Sequence, residues 1–159
     1  MKTVILTLSA FIVGAFISAL IMMNMMPGMM FAKAESKFSF EDTVKKLKIS
    51  AENAGWSIPF TNDLQKQYAI KGLKGMTKVT VLYFCDPKGG YKILKVDKNK
   101  HFSVMMPMGV SVYETANGKV FIAAMNIGMM SKMIGGTVEK VMSKGGARFA
   151  KSLKGIIKK

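Results

Sequence analysis

The feature that most constrains this chain is an uncharged stretch near its N-terminus. The thirty residues from Thr3 to Ala32 include no Asp, Glu, Lys, Arg or His. A helix from Thr3 to the residue before Pro27 would rise roughly 36 Å at about 1.5 Å per residue, which is enough to cross a hydrocarbon layer of about 30 Å with some tilt. We therefore predict one transmembrane helix that is broken at Pro27 and Gly28, near the far interface.

A cleaved secretory signal is the alternative interpretation of this segment. Ala32, Lys33 and Ala34 match the small-x-small pattern that signal peptidase accepts, and Lys2 supplies a charged residue before the apolar run. The apolar run from Val4 to Met23 is about twenty residues long, whereas the apolar region of a signal peptide usually has roughly 7–15. An uncleaved anchor is the favoured interpretation, and secretion after cleavage following Ala34 is the other.

Both interpretations place the rest of the chain outside the cytoplasmic membrane. Lys2 and the free amino terminus favour the cytoplasmic side, and long domains are translocated despite their lysines. We predict a single-pass protein of the cytoplasmic membrane whose C-terminal domain is periplasmic. The chain then divides into an anchor or signal segment (1–35), a folded domain (36–133) and a basic tail (134–159).

The end of the apolar run is rich in methionine. Residues 21–31 contain six of them, and thioether sulfur is a soft ligand for monovalent copper. No His or Cys accompanies these methionines, and they continue the uncharged run without interruption. We interpret them as side chains that face lipid or the interface.

The chain is strongly basic, with 24 Lys and Arg residues against nine Asp and Glu residues and a net charge of +15. Such a surface attracts anions, and nucleic acid is the usual first candidate. Export argues against nucleic acid, and the sequence shows no recognition helix, aromatic-rich binding sheet or zinc module. We predict that anionic lipid or a subunit of a membrane complex is the partner, and not nucleic acid.

The basic residues are concentrated in the tail. From Met129 onward there are eight basic side chains against Glu139 alone, and apolar residues recur every three or four positions on the other side. This spacing is typical of a basic amphipathic helix, and two glycine pairs predict that the helix is segmented. We expect the part up to Val141 to cover the core and the part beyond Gly146 to contact lipid or a partner. The predicted membrane-surface residues are Lys144, Arg148, Lys151, Lys154, Lys158 and Lys159.

The first half of the domain alternates between extended and helical patterns. Residues 37–40 resemble a short strand and precede a helix that Gly55 is placed to end. Residues 56–60 are extended, and residues 63–72 form a short helix or a loop. Residues 78–84 are β-branched, aromatic and apolar, which predicts a strand in the interior of a sheet.

The second half adds a helix and a hairpin. Residues 89–96 predict a helix after a turn, and residues 108–114 and 119–124 predict two strands. Asn117 and Gly118 between them are a strong hairpin signal. The order of elements predicts an α+β fold, a compact sandwich with a mostly antiparallel sheet and helices on one face, preceded by the N-terminal helix.

Several of these segments resemble the domain-of-unknown-function family three-hundred-and-two of bacteria and archaea. The likeness covers residues 37–133 and is carried by the segments FSFEDTVKKLK, the pair Gly55-Trp56, VTVLYFCDP, MPMGVSVYE and NGKVFIAAMN. Its most specific feature is a strand that ends in Cys85, Asp86 and Pro87, and the second is Pro107 before a V-x-V-Y strand. The resemblance implies a compact α+β domain that often self-associates, and it brings no established activity.

One position departs from the family pattern. The resemblance implies a second cysteine after Pro107, where this chain has Met108. Dithiol, disulfide or two-thiol metal chemistry is therefore not carried over to this chain.

Cys85 is the one cysteine, so no intrachain disulfide can form. It ends a strand beside the N-terminus of a predicted helix, where backbone amides stabilise a thiolate that could carry sulfur, bind a soft metal or form a mixed disulfide. The alternative is that Cys85 is a small buried hydrophobe at the sheet edge, which free cysteine often is. We favour the structural alternative.

His101 and the nearby methionines raise a metal hypothesis. Copper and haem iron accept imidazole and thioether ligands, and the candidate ligands are Cys85, His101, Met106 and Met108. Met105, Met106 and Met108 also alternate as a strand that enters a core would, and a lone histidine is typical of an exposed loop. We therefore predict neither a metal nor another cofactor.

The sequence shows no phosphate-binding glycine loop, zinc-ligand spacing or serine-nucleophile elbow, which argues against an enzyme of familiar type. The favoured function is a non-enzymatic, membrane-tethered binding or accessory domain of the envelope for a small ligand or partner subunit. Its predicted pocket residues are Cys85, Asp86, Pro87, Pro107 and Met108. The alternative is an envelope protein that handles copper or sulfur with Cys85 and nearby methionines.

Overall fold

A computed structural model of the chain describes the backbone of residues 2–158 and the side chains of residues 11–24 and 28–158. A long helix, α1 (Lys2–Met30), precedes a domain in which strands and helices alternate. The elements of that domain are β1 (Phe31–Glu35), α2 (Phe40–Asn53), β2 (Thr61–Asp63), α3 (Leu64–Ile70), β3 (Val79–Phe84), α4 (Pro87–Leu94), a 3₁₀ helix (Asp97–Met105), β4 (Met108–Glu114), β5 (Val120–Met125), α5 (Ile127–Ile134) and α6 (Gly136–Ser152).

Helix α1 is longer than the sequence predicts. The predicted break at Pro27 and Gly28 is wrong, because the helix continues to Met30 and ends where the chain enters β1. The side chains of residues 11–24 are exposed. Within the described side chains, no helix combines the length and hydropathy that crossing a bilayer requires. Residues 1–10 and 25–27 of the predicted membrane segment lie outside those side chains.

The strands form one antiparallel sheet in the order β1-β5-β4-β3-β2, which confirms the predicted α+β class and antiparallel pairing. The strand predicted at residues 37–40 is wrong. The edge strand is β1, which pairs from Phe31 opposite Met125 to Glu35 opposite Phe121. Ser39 instead caps α2, because its hydroxyl accepts the N–H of Asp42, so this segment belongs to the start of a helix.

The predicted hairpin joins β4 to β5 through a five-residue loop. Glu114 pairs with Val120, and the N–H of Thr115 donates to the carbonyl of Lys119 at 2.9 Å. Gly118 adopts a φ of 75°, which glycine reaches without a steric penalty. The turn is thus wider than the two-residue turn that the Asn-Gly pair predicts.

The core lies between one face of the sheet and the helices. Alternate residues of β3 and β4 are buried, so Leu82, Phe84, Val110 and Val112 point to the same side. Helix α2, whose Leu47 is fully buried, packs against both strands. Burying one such side chain stabilises the fold by about 1.5–3 kcal/mol. The opposite face of the sheet is half-exposed.

That half-exposed face also carries aromatic side chains. The rings of Tyr113 and Phe121 stack with centroids 5.6 Å apart, and the ammonium group of Lys33 lies 4.2 Å from the centroid of Phe121. A cation over an aromatic face is an attractive contact, so the lysine on the edge strand covers part of this apolar surface.

Helix α6, which contains much of the predicted tail, packs on the same core. Its buried residues recur at helical spacing: Val138, Met142, Gly145, Phe149 and Ser152. The ring of Phe149 meets that of Phe84 edge-on with centroids 5.9 Å apart. Residues 134–152 therefore continue the folded domain.

The glycine pairs of this region act differently from each other. At Gly135 and Gly136 the chain passes from α5 to α6 with positive φ angles of 77° and 62°. The second predicted interruption is wrong, because α6 runs through Gly145 and the glycine after it. A Cβ on Gly145 would lie 3.3 Å from Ile127 Cδ1 and 3.4 Å from Trp56 Cη2, so glycine allows the helix to approach these side chains.

The C-terminal segment returns to the edge strand. Ser36 and Ile157 form an antiparallel bridge, and the side chain of Ile156 is buried. The ammonium of Lys158 lies 2.5 Å from Oε1 of Glu35. The hydrogen bond from Lys158, with its charge, lowers the pKa of Glu35 below the ordinary value.

Candidate functional site

A cavity of about 310 Å³ opens where β3 ends and β4 begins. Helix α4, the 3₁₀ helix and α6 supply its other walls, and its lining side chains are mainly apolar. The five residues that the sequence predicts for a pocket all line it: Cys85, Asp86, Pro87, Pro107 and Met108.

The strand register explains why these residues meet. Phe84, the last residue of β3, pairs with Met108, the first residue of β4. The chain that leaves β3 therefore lies beside the chain that enters β4, although the two segments are separated in sequence. Pro87 starts α4 at its first turn, where a missing N–H carries no penalty. Pro107 precedes β4 and follows a cis peptide bond from Met106.

Cys85 is half-buried at one side of the cavity. Its backbone forms a two-way bridge with Ser57: the Cys85 N–H donates at 2.8 Å and the Ser57 N–H donates at 3.0 Å. The hydroxyl of Ser57 also donates to the Cys85 carbonyl at 3.2 Å. This bridge holds the segment after α2, including Trp56, against the end of β3.

Asp86 is bound on both of its carboxylate oxygens. Oδ1 accepts the N–H of Gly89 at 3.0 Å and caps the N-terminus of α4. Oδ2 pairs with the guanidinium of Arg148 from α6. The sequence predicts that amides at the N-terminus of α4 could stabilise a Cys85 thiolate. In the structure, the amide of Gly89 is instead bound by Asp86. The carboxylate fixes α4 and α6 together at the cavity.

Arg148 joins three parts of the structure at this point. Besides Asp86, its guanidinium donates to the carbonyl of Gly55 at 3.3 Å and lies 4.6 Å from the ring centroid of Trp56. A guanidinium over an indole face gains cation–π attraction. Arg148 is predicted from the sequence to lie on a membrane surface, and the structure instead places it half-buried beside the cavity.

Trp56 forms part of the cavity wall and is 7% exposed. Its ring packs on that of Phe84 with centroids 5.7 Å apart. Among the described residues, the indole Nε1 has no hydrogen-bond partner although it is buried. The sequence patterns assign Trp56 and Arg148 no role in a pocket. The family resemblance includes the pair Gly55-Trp56, which is the one sequence feature that could have drawn attention to Trp56.

Sulfur atoms are concentrated around the cavity. Four methionine side chains line it together with Cys85: Met105, Met106, Met108 and Met142. His101, the other predicted metal ligand, is exposed, and its ring lies against Phe102 with centroids 4.1 Å apart. His101 does not line the cavity. Within the described part of the chain, no three His, Cys, Asp or Glu residues are grouped to hold a metal ion.

The six predicted membrane-surface residues do not share one environment. Lys144, Lys151 and Lys154 are exposed. Arg148 and Lys158 instead form ion pairs with acidic residues of the domain. The remaining one, Lys159, lies outside the described residues.

Comparison with known proteins identifies the family. No curated protein matches the sequence. Among solved structures, the chain is similar to the uncharacterized conserved protein DUF302 from Bacillus stearothermophilus, with a TM-score of 0.69, 20% identity, and coverage of 79% of this chain and 96% of that chain. At this identity the likeness shows a shared fold. The model of the family described as "Domain of unknown function DUF302" matches residues 32–159, from β1 through α6, which is a longer region than the segments of the resemblance. The chain therefore belongs to the DUF302 family.

Proposed function

We propose that this chain is a membrane-tethered domain of the cell envelope that binds a small ligand in the cavity beside Cys85 and catalyses no reaction. The cavity itself carries this proposal. Its volume of about 310 Å³ and its apolar lining match ligand pockets, which are usually roughly 300–1,000 Å³, concave and largely apolar.

Binding is favoured over catalysis because the polar groups at the cavity serve the fold. The carboxylate of Asp86 caps α4 and pairs with Arg148, so a general-base role would break both contacts. His101 is exposed and does not line the cavity. The walls come from packed elements, which suits a preformed site for a small molecule.

Tetralin, a two-ring hydrocarbon, is a suitable probe for the cavity. Trp56 is the one tryptophan of the chain, so its indole N–H gives a single NMR resonance at the cavity wall. We expect tetralin to shift that resonance in the full chain held in dodecyl maltoside micelles. Gly90→Leu should abolish the shift, because a Cβ there meets only Met106 Sδ, at 3.6 Å, and the longer side chain would fill the cavity.

Lys92→Leu is the matched control, since Lys92 is exposed on the same helix and does not line the cavity. This variant should bind tetralin as the unaltered chain does. Tetralin that leaves the indole resonance unmoved, or that moves it equally in Gly90→Leu, would refute the ligand-binding proposal.

The membrane tether is proposed from the uncharged run and from its junction with β1. Helix α1 has 29 residues, and its described side chains from residue 11 to residue 24 are exposed. Strand β1 favours retention of this helix, because cleavage after Ala34 would remove four of the five residues that pair with β5. The family match also begins at residue 32, inside that strand.

Two measurements test the tether and the side of the membrane. The intact mass of protein purified from membranes should correspond to a chain that begins at Met1, and a mass that begins at Glu35 would contradict retention. Trypsin added to intact spheroplasts should digest the basic domain if it lies outside the cytoplasmic membrane. Protection equal to that of a cytoplasmic marker would contradict export.

The exposed lysines of the tail extend the proposal to an anionic surface. Lys144, Lys151 and Lys154 remain available to anionic lipid or an acidic partner subunit. Replacing these three by glutamine should weaken binding to phosphatidylglycerol vesicles at low salt and leave little difference at 1 M salt, because exposed charges are screened there. Equal binding by both proteins at low salt would refute a lipid-facing tail.

Self-association stays a prediction, which sedimentation velocity tests.

A soft-metal function is the second candidate, favoured by the four methionines that line the cavity with Cys85. Thiolate and thioether sulfur select monovalent copper. Titration with Ag⁺, a redox-inert substitute for Cu⁺, should then show one site that Cys85→Ser removes and Met108→Leu weakens. Met133→Leu is the control, because Met133 is exposed. An unaltered titration in Cys85→Ser would dismiss this candidate.

A further inference from the structure

The strand register places the cavity at the end of the sheet where α1 joins it. Phe31, the residue that follows α1, lies opposite Met125 at the end of β5. Strand β4 begins beside that end of β5, and its first residue, Met108, pairs with Phe84 at the end of β3. Since neighbouring strands lie about 4.8 Å apart, the start of β4 lies roughly 10 Å from β1 across the sheet. The cavity opens between β3 and β4 at this cavity end, which Phe31, Met108 and Phe84 define.

The last residue of α1 is hydrogen-bonded beside the cavity wall. The carbonyl of Met30 accepts the N–H of Asn126 at 2.8 Å, and the next residue, Ile127, is buried and lines the cavity. Helix α5, which begins at Ile127, also contacts α1. The described side chains of α1 from residue 11 to residue 24 are exposed, so this part of the helix leaves the domain instead of packing across it. A bilayer that α1 spans would therefore lie next to the cavity end.

Exposed apolar side chains surround the cavity at this end. Tyr91 of α4 lines the cavity and is 70% exposed. Val104 of the 3₁₀ helix precedes the lining residue Met105 and is 88% exposed. Phe31 and Phe60, which lie at the same end on the two edges of the sheet, are also exposed. Grouped apolar side chains mark surfaces that bind membranes or partners, and tyrosine suits a membrane interface because its ring is apolar and its hydroxyl is polar.

The elements that carry Tyr91 and Val104 are also basic. Residues 87–105 include one acidic residue, Asp97, which pairs with Lys100. The lysines of this segment are all exposed: Lys88, Lys92, Lys95, Lys98 and Lys100. Lysines beside a membrane are attracted to anionic headgroups, and their aliphatic stems can lie on hydrocarbon while the ammonium group stays in water. Apolar and basic side chains on the same elements therefore fit the headgroup region of an anionic bilayer.

We infer that the cavity end of the domain rests on the membrane that α1 spans, and that the cavity takes up a hydrocarbon chain of a lipid from that membrane. The mainly apolar lining matches a hydrocarbon chain, which needs no hydrogen-bond partner in the cavity. The lysines of residues 87–105 would meet the anionic headgroups outside. The inference rests on the proposed function, since it names the class of molecule that the cavity would bind and the side from which that molecule enters.

Bromine quenching of Trp56 fluorescence tests this inference, because Trp56 is the one tryptophan and forms part of the cavity wall. The full chain is inserted into phosphatidylglycerol nanodiscs whose acyl chains either carry bromine or lack it. Bromine quenches an indole only at short range, so the brominated lipid should lower the fluorescence of the unaltered chain. Gly90→Leu, whose side chain would fill the cavity, should lose most of this quenching.

Ala116→Leu is the matched control for an added side chain. Ala116 is exposed in the loop between β4 and β5, which lies at the opposite end of the sheet from the cavity. This variant should be quenched as strongly as the unaltered chain.

The outcomes separate the inference from the proposed function. Fluorescence that bromine leaves unchanged in the unaltered chain, or quenching that is equal in Gly90→Leu, overturns the uptake of a lipid chain. The pocket proposal then stands if tetralin still shifts the indole resonance, and it falls as well if tetralin does not. A chain that does not elute with the nanodiscs contradicts the tether and the inference together.

The position of bromine along the acyl chain gives a second measurement if Gly90→Leu does not fold. A hydrocarbon chain that enters the cavity end-first carries its terminal methyl group toward Trp56. Bromine near that terminus should therefore quench more strongly than bromine near the ester carbonyl. The reverse order is expected of a domain that only lies on the membrane surface, and it would overturn the inference.

Discussion

Two adjacent glycines of α4 differ in what a methyl group would meet. A Cβ on Gly89 would lie 2.5 Å from Oδ2 of Asp86 and 2.9 Å from Cγ1 of Val141, distances at which an atom must move. A Cβ on Gly90 would lie 3.6 Å from Sδ of Met106, which is ordinary contact. We therefore predict that Gly89→Ala destabilises the domain and that Gly90→Ala stabilises it.

The size of the effect depends on the contacts of Asp86. In Gly89→Ala this carboxylate must move away from the N–H that it caps, which costs about 1 kcal/mol, and crowding against Val141 costs about 1–3 kcal/mol. Alanine's higher helix propensity offsets about 1 kcal/mol. The net loss is about 1–3 kcal/mol, whereas Gly90→Ala keeps the propensity gain of up to about 1 kcal/mol.

Urea unfolding of the full chain, followed by the fluorescence of the one tryptophan, measures both variants under the same conditions. The two free energies of unfolding should differ by about 1–4 kcal/mol, with equal dependence on denaturant concentration. A Gly89→Ala chain as stable as Gly90→Ala would refute the reasoning. That result would mean that the Asp86 carboxylate can leave its position without cost.

The remaining predictions concern the C-terminal ion pair and the core. Lys158→Met should raise the pKa of Glu35 toward its ordinary value, and a carboxyl NMR titration that gives the same pKa in both proteins would contradict the described pair. Because the folded-state pKa is lowered, the stabilisation is present above the ordinary pKa and disappears as the pH falls through the folded-state value, so Lys158→Met should abolish this part of the acid sensitivity. Leu47→Ala, at a fully buried position of α2, should lower the free energy of unfolding by about 2–5 kcal/mol. Ile49→Ala on the exposed side of that helix should change it by less than about 1 kcal/mol, and equal losses would show that the assigned core face of α2 is wrong.

Local patterns are sufficient to predict β3, β4, β5 and α4, but not the 3₁₀ helix that contains Met105, a residue whose spacing favoured a strand. The alternation in residues 79–84 gives the buried face directly, since every second side chain is covered. Local patterns do not predict strand β1, because Phe31 and Ala32 end the uncharged run and the remaining residues, Lys33 to Glu35, are small or charged. It becomes a strand only because β5 offers it a pairing edge.

The pocket was predictable in part. The residues at the end of β3 and the start of β4 were identified through the family resemblance, and their pairing is set by strand register. The contacts that complete the wall join residues distant in sequence: Arg148 reaches Asp86 across 62 positions and Gly55 across 93. No local spacing in one sequence encodes such pairs. The charge of Arg148 favours a surface position. Its two acceptors, Gly55 and Asp86, belong to distant segments, so the sequence around Arg148 does not reveal them.

Helix α1 connects directly to the edge strand of the sheet. Met30 ends the helix and Phe31 begins β1, and the carbonyl of Met30 accepts the N–H of Asn126 at 2.8 Å. A flexible linker lets a domain reorient relative to the segment that precedes it. No linker residue separates α1 from β1. The end of helix α1 is therefore bonded to the sheet directly, through Met30 to Asn126 and through Phe31 opposite Met125.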